Sequence, residues 1–333
     1  MAHLVSILIP AYNAEKWIGE TVKSALEQDW RKKEIIIVDD GSSDDTLKIA
    51  RRFESKSVKV LTQENRGASA ARNNALLIAQ GDYIQWLDAD DLLAPDKITW
   101  QIKEGGINPE SRLLLSSAWG KFYYRKEKTK FIPNSLWQDL EPVEWLLKKF
   151  NDNVWMNPAV WIVSRKLTDI AGPWDERLTL DDDGEYFSRL IAASDRIQFV
   201  KQSRSYYRQG NTRSLSRATS DRACKSLYLS MSLNISRLIS LENSQRTRSA
   251  CLKLLQRWLI YFYPEQSVIL EKANALAKEL GGELLPPSLS RKYSIIRYFV
   301  GWKTTKKVQE VAPMLKMIIQ RNWDKLFYKF RKE

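Results

Sequence analysis

Histidine and cysteine are almost missing from this 333-residue chain, which has one of the first and two of the second. His3 stands ahead of the first apolar run, and Cys224 and Cys251 share no paired spacing. Neither a zinc site nor a disulfide framework is therefore expected, and the free thiols fit a reducing compartment. Any metal has to be held by oxygen. No apolar run reaches the roughly 18 residues of a membrane-spanning helix. The amino terminus also lacks the basic flank and apolar stretch of a secretory leader. These absences lead us to expect a cytoplasmic protein, with peripheral attachment at the inner face of the membrane left open. A glycine-rich phosphate loop is missing too. Pro10-Ala11-Tyr12-Asn13 stands where a dehydrogenase would carry Gly-X-Gly-X-X-Gly and a sugar nucleotidyltransferase a basic, glycine-rich loop.

What is present describes a folded enzyme-sized chain. Apolar residues make up 44% and charged residues 28%, a globular composition. The 13 tryptophans are expected mainly in the core, with stacking on a sugar or base as the lesser use. The net charge of +13 is uneven, because residues 288–333 hold 12 Lys/Arg against 3 Asp/Glu. No recognisable groove motif accompanies this charge, so nucleic acid is not an expected partner. The basic tail interleaves Trp302, Ile318, Trp323 and Phe327 with lysine and arginine. Such a pattern suits either an anionic membrane interface or a helical cap packed on the rest of the chain. Pro313 is expected to interrupt any single long helix there.

Short apolar runs alternate with amphipathic stretches along the first hundred residues. Strands are predicted at 5–9, 34–38, 58–61 and 83–87. Helices are predicted after Asn13, read as an N-cap, and at 70–79, 95–104 and 183–193. Further strands are predicted at 113–117, 159–163 and 197–201, and a hairpin or loop at 121–142. Beyond Ser220 the pattern becomes long and helical. The expectation is an α/β domain over residues 1–215, its mostly parallel sheet covered by helices on both faces, then a helical region over 216–333 with a basic amphipathic tail.

Sheets of that kind bind ligands beyond the carboxyl ends of their strands, and the unusual polar residues cluster there. Asp88-Ala89-Asp90-Asp91 crowds three carboxylates at a strand end. Their mutual repulsion invites either a divalent cation or a solvated helix start. Asp39-Asp40-Gly41-Ser42-Ser43 offers a second carboxylate pair, able to accept from a base or ribose. Tyr12 presents a flat face, for stacking or for packing. Arg66, Arg72 and Asn73 bring charge and donors toward the same edge, where phosphates would lie or where a helix face is simply exposed.

Taken together, Ile-Pro-Ala-Tyr-Asn, Val-Asp-Asp-Gly-Ser-Ser-Asp-Asp-Thr, Asn65-Arg66-Gly67-Ala68-Ser69-Ala70-Ala71-Arg72-Asn73 and Leu-Asp-Ala-Asp-Asp resemble, in order and spacing, the family 2 glycosyltransferases of GT-A fold. The likeness covers residues 3 to 215. It implies an inverting transferase moving a sugar, with UDP-sugar the family prior, to a hydroxyl in a polysaccharide, glycolipid or other glycoconjugate. Pro10, Ala11 and Tyr12 would form the base pocket and Asp40 would read the base. Asp88 would meet ribose or diphosphate. Asp90 would hold Mg²⁺ or Mn²⁺, and Arg66, Arg72 and Asn73 would face the donor. Gly172-Pro173-Trp174-Asp175-Glu176, followed by Asp182-Asp183, resembles the family's Gly-X-Phe-Asp-Glu and Glu-Asp pair. That match makes Asp183 the implied catalytic base and Asp182 its reserve. Tyr207-Arg208-Gln209-Gly210 lacks the histidine that family members often carry after Tyr-Arg. The rival from another class is a non-catalytic membrane-surface scaffold, which predicts no metal-dependent nucleotide binding.

Overall fold

The structure, a computed structural model, describes residues 3–106, 108–210, 220–287 and 291–330. The boundary expected between residues 215 and 216 lies outside the described residues.

The amino-terminal half alternates strands and helices in the order β1 (Val5–Ala11), α1 (Ile18–Leu26), β2 (Lys33–Asp39), α2 (Thr46–Arg51), β3 (Val58–Thr62), α3 (Ala68–Ile78) and β4 (Tyr83–Trp86). There follow β5 (Leu92–Leu93), α4 (Lys97–Glu104), β6 (Leu113–Phe122), α5 (Pro142–Asp152), β7 (Ile162–Ser164), α6 (Arg165–Ala171), α7 (Asp182–Ala193) and β8 (Arg196–Arg208). Four helices complete the chain: α8 (Asp221–Leu241), α9 (Gln245–Phe262), α10 (Ser267–Glu279) and α11 (Arg291–Phe330). The eight strands form one sheet in the order β3-β2-β1-β4-β7-β6-β8-β5. The first four are parallel, β7 and β5 run antiparallel to their neighbours, and β6 pairs with β8 in parallel.

Apolar side chains alternate between the two faces of β1. Val5, Ile7 and Ile9 pack with Ile18 and Val22 of α1, while Leu8 joins Ile36, Trp86 and Ala71 on the other face. Burying side chains of this size stabilises by roughly 1.5–3 kcal/mol each. Continuous apolar strands thus mark a sheet covered on both sides. Trp86, Trp145, Trp161 and Trp174 are all buried in the second face's core. Trp174 stacks on Tyr186 with ring centroids 4.0 Å apart.

Several local expectations are corrected. Asn13 is not an N-cap. It adopts φ 49° and its side-chain oxygen accepts from the Ser43 amide at 2.9 Å, so it braces the loop after β2, and α1 begins at Ile18. Pro158 opens a 3₁₀ turn at Pro158–Val160, which delays the expected strand to Ile162. The stretch 121–142 is mostly loop, the second of the two expected forms: β6 continues to Phe122, a 3₁₀ turn follows at Lys126–Lys128, and a single antiparallel bridge joins Lys121 to Lys130. Helix α5 was not anticipated, and β8 extends seven residues beyond the predicted strand, to Arg208. Pro313 lies inside α11; the non-helical residue there is Gly301, at φ 74° and ψ 172°.

Candidate active site

The carboxyl ends of β1, β2 and β4 lie side by side, because Ala11 is in register with Asp39 and Leu8 with Trp86. This geometry gathers the sequence motifs on one rim. Pro10 and Ala11 end β1, and Tyr12 follows with its side chain 52% exposed. Asp40, buried beside them, is committed to the neighbouring loop between β3 and α3. Its carboxylate accepts from Gln63 Nε2 at 2.7 Å, the Arg66 amide at 2.9 Å and the Gly67 amide at 2.8 Å. Gly41 permits that loop, since at φ 69° an added Cβ would crowd the Asn65 backbone. Neighbouring Asp39 is buried as well, and its Oδ1 has no hydrogen-bond partner.

Arg72, on α3, is the buried centre of the rim. Its guanidinium donates to Asp182 Oδ2 at 2.6 Å and to Asp88 Oδ1 at 2.9 Å, and lies 4.3 Å over the Trp174 ring. Burial works against its charge, but Asp182 and Asp88 outweigh it and hold the guanidinium's pKa above the ordinary arginine value. Asn73 is turned toward the 172–176 segment, accepting from the Trp174 amide at 2.8 Å and donating to the Trp174 carbonyl at 3.0 Å. Arg66 is exposed and ion-paired with Glu176 at 2.8 Å. In this structure, therefore, Arg72 and Asn73 pin the chain segments that carry the carboxylates.

Asp183 stands at the start of α7 and accepts from the Gly184 amide at 2.8 Å. Burial, then the charges of Asp182 and Asp181, push its carboxyl up to about 7. Asp182 differs in kind, because its Oδ2 is held by Arg72 and by the Ser69 hydroxyl at 3.3 Å. Lys149 of α5 donates to the Gly184 carbonyl at 3.2 Å behind this turn. Burial lowers its pKa, and the nearby Asp181 and Asp183 carboxylates oppose that.

The Arg72 guanidinium joins the two halves of the site, since it holds both Asp88 of the acidic motif after β4 and Asp182 of the acidic turn before α7, although some 90 residues of sequence separate them. The Tyr207 phenol is raised by burial and next by the carboxylates of Asp91, Asp90, Asp88 and Asp183. Arg208, next in sequence and buried, organises the β4 side. Its amide donates to Asp91 Oδ1 at 2.8 Å, its Nε to the Asp90 carbonyl at 2.7 Å and its Nη2 to Glu20 at 2.7 Å. The guanidinium lies 4.3 Å from the Trp17 ring and 4.4 Å from that of Phe122. Asp91 itself is fully buried; burial and then the Asp90 and Asp88 charges raise its pKa well above the carboxylate range.

Sequence reasoning gave no role to Arg208 or Lys149, nor to Ser226 and Ser230 of α8, which hydrogen-bond to Thr179, Leu180 and Asp181 ahead of Asp183. A buried arginine at a strand end beside an acidic motif is a readable signal. Lys149 and the serines carry none, because only the packing of α5 and α8 brings them to α7.

Among the described residues no group of three or more His, Cys, Asp or Glu converges as an all-protein cation site. Asp88 and Asp90 fit a different arrangement, in which Mg²⁺ or Mn²⁺ takes one or two carboxylates and completes its shell with diphosphate and water. A groove of about 690 Å³ lined by Gly81, Asp82, Glu110 and Arg165 lies at the amino end of β4, away from this chemistry. Among the described residues no helix is long and apolar enough to cross a membrane.

Comparison with known proteins adds to this geometry. Residues 6–155 match the family model described as glycosyl transferase family 2. Escherichia coli WfgD, named a UDP-Glc:alpha-D-GlcNAc-diphosphoundecaprenol beta-1,3-glucosyltransferase, is 42% identical over 101 residues, 30% of this chain and 40% of WfgD. The chain spans about two fifths of the length of several such curated relatives. S. aureus TarS 1-349, solved in complex with UDP-GlcNAc, superposes with a TM-score of 0.62 at 20% identity, covering 83% of this chain and 81% of that one. The mannosyltransferase PcManGT from Pyrobaculum calidifontis, in complex with GDP-Man and Mn²⁺, gives 0.55 at 19% identity over 96% of this chain and 87% of that one. Residues 6–155 are thus a glycosyl transferase family 2 domain, and the chain shares the GT-A architecture of these solved structures.

Proposed function

We propose that this chain transfers a sugar from a nucleoside-diphosphate donor, a UDP-sugar in the first instance, to an acceptor hydroxyl, with inversion at the anomeric carbon. The observation that carries the reading is the Arg72 guanidinium, which pairs with Asp88 at 2.9 Å and with Asp182, the neighbour of Asp183, at 2.6 Å and so sets both acidic motifs on one rim; there burial, Asp182 and Asp181 push the Asp183 carboxyl up to about 7. A general base works best with a pKa near the working pH. Asp182 is the weaker candidate, because its electron pair is engaged by Arg72 at 2.6 Å.

In this reading residues 1–215 form the catalytic domain and 216–333 a helical region that supports it. The nucleotide lies along Pro10, Ala11 and Tyr12, with the base against the Asp39-Asp40 strand end and Asp88 near the ribose or diphosphate. The open Oδ1 of Asp39 makes it a second candidate for reading the base, beside Asp40. Arg66 is exposed and can leave Glu176 for a phosphate, while Arg72 and Asn73 hold the walls. Asp90 would hold a divalent ion, which would supply charge neutralisation for the departing diphosphate. Asp183 takes the acceptor proton as the hydroxyl approaches the sugar from the face opposite the leaving group, and that approach inverts the centre. PcManGT's Mn²⁺ and the nucleotides of TarS and PcManGT support a metal and a nucleotide sugar. WfgD's name, which gives a GlcNAc-diphosphoundecaprenol acceptor, supports a saccharide or lipid-linked acceptor.

The test is nucleotide release from a panel of UDP-, GDP- and dTDP-sugars with Mn²⁺ or Mg²⁺, with and without saccharide acceptors. At least one donor should turn over, and Asp183→Asn and Asp90→Ala should each lower kcat by about 10²-fold or more, as loss of a general base or of metal charge does. Full activity in both variants would remove Asp183 and Asp90 from the chemistry.

A further inference from the structure

Helix α11 has two opposed faces beyond Gly301, and among the described residues only one is covered by the rest of the chain. On the covered face, Asp324 accepts from the Tyr124 amide at 2.9 Å and from Arg125 Nε at 2.6 Å. Arg321 donates to the Gly210 carbonyl at 2.8 Å, and the Tyr328 hydroxyl reaches Glu20 at 3.4 Å. On the opposite face Val308, Val311, Leu315, Ile319, Trp323 and Leu326 recur at spacings of three or four residues and are all exposed. Ile319 and Trp323 are 68% and 64% exposed. From Val308 to Leu326 this apolar stripe runs about 27 Å. Isolated exposed apolar residues need no explanation, whereas an aligned row of six marks an interaction surface.

The charge around the stripe selects its occupant. Lys316 and Lys325 are exposed beside it, and the single acidic residue between Val311 and Tyr328, Asp324, is turned inward and paired with Arg125. From Val311 onward the stripe is thus apolar and aromatic, with Lys316 and Lys325 at its borders and its one acidic neighbour paired on the inner face. We infer that this outer face of α11 lies in the surface of an anionic lipid bilayer, with Trp323 and Ile319 entering the headgroup boundary and Lys316 and Lys325 meeting lipid phosphates. The same helix is tied to the acidic rim, since Tyr328 holds Glu20 and Glu20 holds Arg208, which donates to the Asp90 carbonyl. Membrane docking through the outer face therefore brings the rim alongside the lipid surface, where a lipid-linked acceptor would be presented.

Vesicle flotation of the full chain tests this without reference to catalysis, so its failure leaves the transferase reading standing. Vesicles of phosphatidylcholine mixed with phosphatidylglycerol should carry the protein to the top of the gradient. Pure phosphatidylcholine should carry at least about tenfold less, and added salt should release the protein. The double variant Ile319→Ser/Trp323→Ser should lose anionic-vesicle binding by about tenfold or more while melting at the wild-type temperature. Leu77→Ser, which removes an equally exposed apolar side chain from α3, should bind as wild type does. Three results would overturn the inference: equal binding to neutral vesicles, binding unaffected by the double variant, or a dimer in sedimentation that the same variant dissociates, which would make the face a contact between copies.

Discussion

The hydroxyl of Ser230, on α8, lies 2.6 Å from Oδ2 of Asp181, two residues before Asp183. One helical turn earlier on α8, the Ser226 oxygen accepts from the amides of Thr179 and Leu180 at 2.8 and 2.9 Å. The acidic turn before α7 is thus suspended from a helix of the carboxy-terminal region. Asp181 sits at φ 57°, and Gly184 leaves it room, since a Cβ there would overlap its carboxylate.

Replacing Ser230 by alanine should change the pH profile more than the fold. Burial raises the Asp181 carboxyl, and Lys149 and the Ser230 hydroxyl hold it back. Without Ser230, Asp181 stays protonated to higher pH and repels a charge on Asp183 less. The acid limb of kcat should therefore move to lower pH in Ser230→Ala, with KM for donor unchanged and stability lowered by about 1–3 kcal/mol, the cost of a lost hydrogen bond to a charged group. A melting point that drops while the limb stays in place would make Ser230 merely structural.

Asp183 sets the position of that limb in the unmodified protein. With its carboxyl pushed up to about 7, activity should rise as pH passes through 7 and level off above it. Stability has the opposite sign. The folded chain binds this proton more tightly than the unfolded one, so Asp183's contribution is fully present below pH 4 and is lost as pH rises through 7. Asp183→Asn should accordingly be inactive yet more stable than wild type above pH 7, by roughly 1–3 kcal/mol after allowing for its partial exposure. Denaturant titrations of both proteins at pH 5 and pH 8 measure the difference.

The sheet was legible because burial on both faces writes itself as continuous apolar runs: β1, β2 and β4 each appear within two residues of their predicted ends. The acidic motifs were legible for the related reason that a parallel sheet exposes strand carboxyl ends to ligand, where polar residues interrupt those runs. Helix α5 was missed because Lys148 and Lys149 break an otherwise amphipathic stretch. Only the fold shows that Lys149 turns inward toward the Gly184 carbonyl. Asp40 and Arg72 have the residue types of ligand-binding groups, yet their hydrogen bonds go to the loop between β3 and α3 and to Asp88 and Asp182 respectively. Residue type alone does not distinguish a group that binds from one that holds a binder in place.

Arg72 provides a sharp test of that distinction. Removing it leaves Asp88 and Asp182 without the cation that separates them, the kind of loss that costs 3–5 kcal/mol on average, roughly, for a buried pair. Arg72→Ala should therefore fold poorly, whereas Arg72→Lys keeps the charge but reaches only one carboxylate at a time. The lysine variant should fold, with a melting temperature several degrees lower, and lose about 10²-fold in kcat because the acidic turn is no longer fixed against β4. Its KM for donor should change less than threefold, roughly, if Arg72 acts through the carboxylates. A rise in KM with kcat preserved would instead mean that the guanidinium touches the donor directly.

Arg208 should govern affinity for the metal without touching it. Its Nε holds the Asp90 carbonyl, its amide holds Asp91, and its far end is fixed by Glu20 and by the rings of Trp17 and Phe122. Partners of this kind typically contribute 10–100-fold, roughly, to metal affinity by orienting the ligand. Arg208→Lys replaces a planar fork that makes several bonds at once with a single point charge, so the β4 turn loosens. The Mn²⁺ concentration for half-maximal activity should rise about tenfold or more, with near-normal kcat at saturating metal. Glu20→Gln keeps the shape of Arg208's partner but weakens the bond, and should give a smaller shift in the same direction. Equal Mn²⁺ dependence in all three proteins would show that the orientation of Asp90 is set elsewhere.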